Sequence, residues 1–284
     1  MIRSRVYAVP LVAVLLALAT GIALGAGPLS TTGSSAEPAP ATSTPGPDAR
    51  YSDAFAASVA ARLYAKGLSR RPVALVTLPG ADPATVSALS SQITLAGGTV
   101  SGVYPVGSQM VDAEQKSLVD TLGLQLGKQL HGQVAAHTST YPRIGQLLAI
   151  AIATRGTTAG QQDDGVAAVR QSLVAAHLLT MPSADPPTAP LVLVVTGTEV
   201  DQAIADGLLS GLAARARGVV AVGPSGAANV VGLGTDGVTA HVTTVDGTET
   251  SAGRVAAVLA LIRSWSKQGG AYGASGSDGS APLG

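Results

Sequence analysis

Histidines and methionines are the residues with which this chain could hold a soft transition metal. The histidines are spread along the sequence, at His131, His137, His177 and His241. The first two stand six positions apart, which places them on different faces of a helix, and Met110 and Met181 have no partner at ligand spacing. Because soft sites draw on Cys or on clustered Met and His, and the chain has no Cys, we predict no metal site.

Two glycine-containing motifs resemble phosphate-binding loops but lack the residue spacing or the neighbouring strand and helix of such loops. Gly232–Gly237 reads GLGTDG, which fits GxGxxG, but it runs into the strand-like Val238–Val245. A dinucleotide fingerprint follows a strand and opens a helix, so we predict a turn here. Gly127-Lys128 is followed by Gln129 and lacks the upstream glycine of a P-loop.

The pair Asp163-Asp164 is the remaining candidate for acid–base work. Neighbours in sequence rarely converge on one reacting atom, so we interpret the pair as a solvated loop or a helix N-cap. No nucleophile elbow of the form GxSxG is present. We therefore predict that the protein is not an enzyme and needs no cofactor.

An apolar run at residues 6–27 indicates where the protein works. It contains no charge, and about 20 helical residues span the ~30 Å core of a bilayer. Arg3 and Arg5 precede it, so the positive-inside rule places residues 1–5 in the cytoplasm and the remainder of the chain outside. A signal peptide cleaved near Ala23-Leu24-Gly25 is the alternative; the run exceeds the usual h-region of about 7–15 residues, which favours an uncleaved single-pass anchor.

Small residues recur at every fourth position of this run, at Ala17, Gly21 and Gly25. They share one helix face and would let two backbones approach closely, which predicts a helix-packing face and a homodimer. The alternative is that Gly and Ala are simply common in membrane helices.

Composition divides the rest of the chain. The formal net charge of zero gives no electrostatic reason to expect nucleic acid as a partner. Residues 28–48 are rich in Pro, Ser and Thr and predict a flexible linker, and residues 267–284, rich in Gly and Ser, predict a disordered tail. Residues 49–266 remain for an extracytoplasmic domain.

Within that domain a strand–helix–strand pattern occurs twice. The first copy has strand-like Val73–Leu78, a helix that begins after Asp82-Pro83, and strand-like Thr99–Val106. The second copy lies within residues 189–223 and repeats the plan with nearly the same element lengths. Two βαβ units with continuous apolar strands predict a Rossmann-like α/β domain with a mainly parallel sheet. By analogy with such folds, a crevice would lie near Leu78–Gly80 and Thr196–Thr198.

Three long segments resemble the actinobacterial MctB (copper transporter) family, which includes SteB-like envelope proteins. They are MIRSRVYAVPLVAVLLALATGIALGAG, RRPVALVTLPGADPATVSALSSQITLAGGTVSG and VTTVDGTETSAGRVAAVLALI, in that order. The resemblance implies one membrane helix, a coiled coil and an extracytoplasmic α/β domain. This chain departs from that plan, since the Pro-rich residues 28–47 cannot carry heptads.

The resemblance implies a role in copper transport or efflux across the cell envelope. The SteB-like members imply an alternative: a non-catalytic module in envelope integrity and division that controls a peptidoglycan hydrolase through a SteA-like membrane partner. A single helix cannot enclose a pore, so neither role makes this chain a channel by itself. Both roles place the protein at the cell membrane.

Overall fold

The computed structural model describes residues 46–283, except 131, 136–137, 161–162, 183–184, 235–240 and 267–268. Strands and helices alternate along much of this part of the chain. In chain order they are α1 (Pro47–Tyr64), β1 (Pro72–Thr77), α2 (Pro83–Leu95), β2 (Thr99–Pro105), α3 (Ser108–Val111), α4 (Lys116–Gln129), α5 (Thr140–Ile152), α6 (Asp164–Ala175), β3 (Leu191–Val195), α7 (Gln202–Ala213), β4 (Gly218–Gly223), α8 (Ala228–Val231), β5 (Val242–Asp246), α9 (Ser251–Ser264) and β6 (Gly270–Tyr272).

The strands form one parallel sheet in the order β2-β1-β3-β4-β5-β6. Every residue of β3, β4 and β5 is buried, as continuous apolar strands require when both faces of a sheet are covered. The predicted α/β domain with a parallel sheet is therefore confirmed. Its strand order is the flavodoxin-like 2-1-3-4-5 extended by one strand, rather than the 3-2-1-4-5-6 of dinucleotide-binding folds.

Helices cover both faces of the sheet. On one face α1, α2 and α9 enclose a core that includes Tyr64, Ile93 and Leu261. On the other face α4, α5, α6 and α7 enclose a second core that includes Ile144 and Leu208. Successive β1 residues point alternately into the two cores, so the domain has three layers.

The two βαβ units are β1-α2-β2 and β3-α7-β4. In the first unit, the observed strands begin and end within one residue of the predicted bounds. Asp82 caps α2 as predicted, accepting hydrogen bonds from the backbone N–H of Ala84 (3.1 Å) and Thr85 (3.0 Å), and Pro83 is the first helical residue. The local signals at the start of this helix were sufficient to locate it.

The C-terminal segment differs from the disordered tail predicted from its composition. Gly270–Tyr272 pairs with β5 as the sixth strand, and Tyr272 is buried against the α1–α2–α9 core. Asp278 accepts a hydrogen bond from the backbone N–H of Ala271 (2.8 Å), which folds the following residues back onto the strand. One buried aromatic side chain and these backbone bonds order a segment whose Gly and Ser content indicated the opposite.

Residues 1–45 lie outside the described residues. They hold the predicted cytoplasmic start, the apolar run with its packing face at Ala17, Gly21 and Gly25, and nearly all of the predicted linker. The described part begins with α1, whose first residue Pro47 lies inside the range predicted as linker. Among the described helices, none has both the length and the apolarity needed to cross a membrane.

Trp265, directly after α9, lies at the edge of the sheet where β1 and β4 begin. The guanidinium carbons of Arg71 and Arg217 each lie 4.3 Å from the centre of its ring. Burial and the neighbouring Arg217 charge lower the pKa of Arg71 from its ordinary value. Both cations are held at an aromatic face, an arrangement that stabilises by cation–π attraction.

Helices α5 and α7 approach closely because glycines stand at their crossing. A Cβ atom on Gly145 would lie 2.3 Å from the carbonyl oxygen of Leu208, and one on Gly211 would lie 2.3 Å from that of Pro142. Neither distance is compatible with a real side chain, so the crossing requires glycine on both helices.

We expect Gly145→Ala and Gly211→Ala each to lower the free energy of unfolding by about 2–3 kcal/mol, because the added methyl group forces the two backbones apart. Urea-induced unfolding would measure the change. Gly127→Ala in α4 is the matched control, since its Cβ would meet Val134 at 3.8 Å, an ordinary contact. That variant should gain about 0.5–1 kcal/mol from helix propensity alone. Equal effects at all three positions would contradict the close crossing.

Candidate functional site

The strand order makes one edge of the sheet the first place to look for a site. In parallel α/β sheets, ligands bind outside the carboxyl ends of the strands, where neighbouring connections leave in opposite directions. Here the order changes direction between β1 and β3. The predicted crevice at Leu78–Gly80 and Thr196–Thr198 is this place.

Backbone contacts cross this crevice. A Cβ atom on Gly197 would lie 2.2 Å from the carbonyl carbon of Gly80, so the two loops are in direct contact. The backbone N–H of Leu78 donates to the carbonyl oxygen of Val195 (2.9 Å). Asn229 fixes the second loop by donating to the carbonyl oxygen of Gly197 (2.8 Å). These contacts hold the loops after β1 and β3 together at the switch point.

Further along the same edge, a buried carboxylate joins three segments. Asp246 ends β5, is 1% exposed, and accepts hydrogen bonds from the backbone N–H of Gly226 (3.0 Å) and Ser275 (2.9 Å). Burial of the carboxyl raises its pKa, but these hydrogen bonds outweigh it and hold the pKa of Asp246 below its ordinary value. The ionised side chain therefore fixes the loop after β4 and the C-terminal segment to the end of β5.

A second carboxylate ties the neighbouring loops together. Glu249 accepts hydrogen bonds from the backbone N–H of Ser225 (3.1 Å) and from its hydroxyl group. The hydroxyl of Thr248 donates to the carbonyl oxygen of Gly223 (2.9 Å). The side chains of Thr248 and Glu249 therefore hold the loop after β4 against the loop after β5.

Helix α1 is fixed beside these loops by Asp53. Its carboxylate accepts a hydrogen bond from the backbone N–H of Ser251 (2.7 Å), in the first turn of α9. An ionised carboxylate is favourable at this end of a helix, because the backbone N–H groups there point at it and carry the positive end of the dipole. This long-range hydrogen bond adds to the burial of Tyr64 in the core that α1 shares with α9.

An open, mostly apolar groove of about 580 Å³ runs between α1, α9 and the C-terminal segment. Its apolar lining includes Tyr51, Phe55, Val59, Leu63, Val255, Ala256, Leu259, Ala281 and Leu283. Three of the polar residues that line it are Ser225, Asp246 and Thr250. The groove offers apolar contact area with a few polar groups, which suits binding of an apolar surface or segment.

The acidic and glycine motifs singled out in the sequence have structural roles. Asp163 is the N-cap of α6 and accepts a hydrogen bond from the backbone N–H of Val166 (2.8 Å), which confirms the N-cap alternative. Gly232–Gly234 forms a short 3-10 turn, and the rest of that glycine motif lies outside the described residues.

Among the described residues, the two methionines contact one core and the two histidines lie at the surface. Met110 is fully buried in the core beneath α4–α7, and Met181 packs against that same core. His177 is exposed, with a φ of 55°, and His241 is exposed just before β5. His131 and His137 lie outside the described residues. Across the ranges that are described, no group of three or more His, Asp or Glu side chains could hold a metal ion.

Comparison with known proteins gives this architecture a family. The model of the family described as "Copper transport outer membrane protein, MctB" matches residues 1–283. The chain belongs to the MctB family. The proteins named "Copper transporter MctB" from Mycobacterium bovis and Mycobacterium tuberculosis are 28% identical to it over 295 residues, with 92% of each chain covered. The resemblance predicted from three sequence segments is confirmed.

For this MctB-family chain, the residues that build the groove were missed by sequence analysis. Phe55, the only phenylalanine in the chain, stands at helical spacing with Val59 and Leu63, yet 59% of its surface is exposed. Asp246 was not singled out at all. The available signal for Asp246 was its place after a β-branched strand, at the end where α/β folds build sites.

We expect Asp246→Asn to destabilise the MctB-family domain by about 1–3 kcal/mol at pH 7, because the amide presents an NH₂ group to a backbone N–H donor. The folded-state pKa of Asp246 is depressed, so its contribution is complete above the unfolded pKa of about 3.9. That contribution is lost as the pH falls through the folded-state pKa, and the difference between variant and wild type should narrow there. Urea unfolding at neutral and acidic pH measures this.

Asp164→Asn, in the first turn of α6, is the control and should cost about 0.3–1 kcal/mol. A difference at Asp246 that is independent of pH would contradict the role of its charge.

Proposed function

We propose that this chain acts in copper transport across the cell envelope, as a single-pass protein whose α/β domain lies outside the cell membrane. The observation that carries the proposal is the match of the copper transport family model to residues 1–283, nearly the whole chain. The uncharged apolar run at residues 6–27, preceded by Arg3 and Arg5, supports the anchor and its orientation.

In this role copper is the cargo, and the domain contributes contact surfaces to a larger assembly. Two features of the described residues support such a role. The side chains of Asp246 and Thr248 at the carboxyl edge of the sheet are held in hydrogen bonds to loop backbone, and the thioether of Met110 is inside the core. The exposed apolar side chains of Tyr51, Phe55 and Leu63 lie along α1 and line the groove beside it. Surfaces of this kind mark sites of interaction with proteins or membranes.

The alternative role in cell division, which the SteB-like relatives imply, predicts a different phenotype for a strain that lacks the gene. The family description and the names of the curated relatives speak of copper transport. A strain without the gene therefore separates the two roles directly.

We expect a deletion strain to tolerate several-fold less copper and to retain more of it, with normal cell shape and septation. The full chain supplied in trans should restore tolerance, whereas residues 46–283 without the anchor should not, because they lose their location. Growth across a copper series and cell-associated copper are the measurements. Normal copper tolerance combined with aberrant septa would contradict the proposal.

Variants of the sulfur residues provide a control for direct copper binding by the domain. Met110→Leu and Met181→Leu conserve volume and should each cost less than about 1.5 kcal/mol of stability. We expect the double variant to complement the deletion fully. Loss of copper tolerance in a stably folded double variant would instead assign these thioethers to the transport path.

A further inference from the structure

The outward face of α1 is unusual for a chain with so few aromatic residues. Tyr51 is 75% exposed and Phe55, the only phenylalanine, is 59% exposed one turn later. Leu63 is exposed on the same helix. A soluble surface rarely presents aromatic side chains at consecutive turns without a contact to make.

Cations accompany this apolar face. Arg62 and Lys66 are exposed and stand 7 and 11 positions after Phe55, so Arg62 shares its helix face and Lys66 follows directly at the end of the helix. Five of the chain's 17 Lys and Arg residues fall in the 22-residue stretch from Arg50 to Arg71, although the whole chain is neutral. Helices that lie in the membrane interface combine exposed aromatic residues with Lys and Arg, whose long side chains reach the headgroups.

The acidic residues of α1 do not cancel this pattern. Asp48 stands in the first turn, where a carboxylate stabilises the helix dipole. Asp53 is directed to the backbone N–H of Ser251 in α9. The exposed C-terminal half of the helix is therefore cationic and complementary to anionic lipid headgroups.

The residues that precede the described part of the chain end where this face begins. The predicted span ends at Gly27 and the described residues start at Gly46, immediately before α1. A Pro/Ser/Thr-rich linker of this length has a root-mean-square reach of roughly 20–25 Å. The start of α1 would thus be held close to the bilayer at high effective concentration.

We propose that α1 lies on the outer surface of the membrane, with Tyr51 and Phe55 in the interfacial region and Arg62 and Lys66 at anionic headgroups. The inference rests on the anchored topology of the proposed function. Its occupant is the lipid surface, and the groove beside Phe55 continues the same apolar face towards Leu283.

The absence of Cys from the chain makes a site-specific test straightforward. Full-length protein with Ser58→Cys, on the exposed side of α1, carries an environment-sensitive dye and is reconstituted into vesicles of phosphatidylcholine and phosphatidylglycerol. Ser117→Cys on α4 is the matched control, since Ser117 is exposed on the opposite face of the sheet. Lipids with brominated acyl chains quench the fluorescence of a dye that touches the bilayer. Fitting the fluorescence decay with two lifetimes gives the ratio of membrane-docked dye to free dye.

We expect strong lipid quenching at position 58 and none at position 117. Replacing Arg62 and Lys66 by Gln should lower the docked ratio about fivefold for each cation removed. Replacing Tyr51 and Phe55 by Ser should lower it about tenfold or more. Leu118→Ser removes an equally exposed side chain from α4 and should leave the ratio unchanged.

A dye at position 58 that is quenched no more than one at position 117, in protein that stays with the vesicles, would overturn the inference while leaving the anchor intact. The dye could instead be shielded by a second copy of the protein. In that case its signal would depend on the protein density in the vesicles, and two undyed Ser58→Cys copies would form a disulfide crosslink through their introduced thiols. This result would also overturn the inference. Protein that does not remain with the vesicles would contradict the anchoring in the proposed function itself.

Discussion

The requirement to cover both faces of a fully buried parallel sheet governs this structure. Strands β3 to β5 expose none of their residues, so helices must pack on both sides and their connections must return across the edges. Close packing then forces backbone contacts at glycines, between α5 and α7 and between the loops that contain Gly80 and Gly197. The second of these contacts lies at the switch point of the sheet, between β1 and β3.

Most of the fold could be predicted because its signals are local. Apolar runs of strand length, the Asp82-Pro83 helix start and the glycines after each helix identify both βαβ units. The sixth strand could not be predicted in this way. Its sequence is Gly/Ser-rich, and its order comes from pairing with β5 and from the burial of Tyr272, which are contacts with distant residues. The strand order, likewise, depends on how the two units meet and not on either unit alone.

The residues of the candidate site could not be predicted either, because they are brought together by contacts between distant parts of the sequence. Asp53 and Ser251, which set α1 against α9, are separated by 198 positions. The partners of Asp246 come from loops 20 and 29 positions away. The periodicity of α1 predicted a helix but not which of its apolar residues would remain uncovered. The exposure of Phe55 is a property of the assembled domain.

The pairing of Trp265 with Arg71 and Arg217 gives the domain a single built-in optical reporter. As the only indole in the chain, it dominates the intrinsic fluorescence, and its environment depends on residues just before β1 and just before β4. Its emission thus follows the docking of the first βαβ unit onto the second and onto the end of α9. The signal originates at the opposite edge of the sheet from the Asp246 loops, so separation of the two edges during unfolding would be visible as a difference between this fluorescence and a probe placed near Asp246.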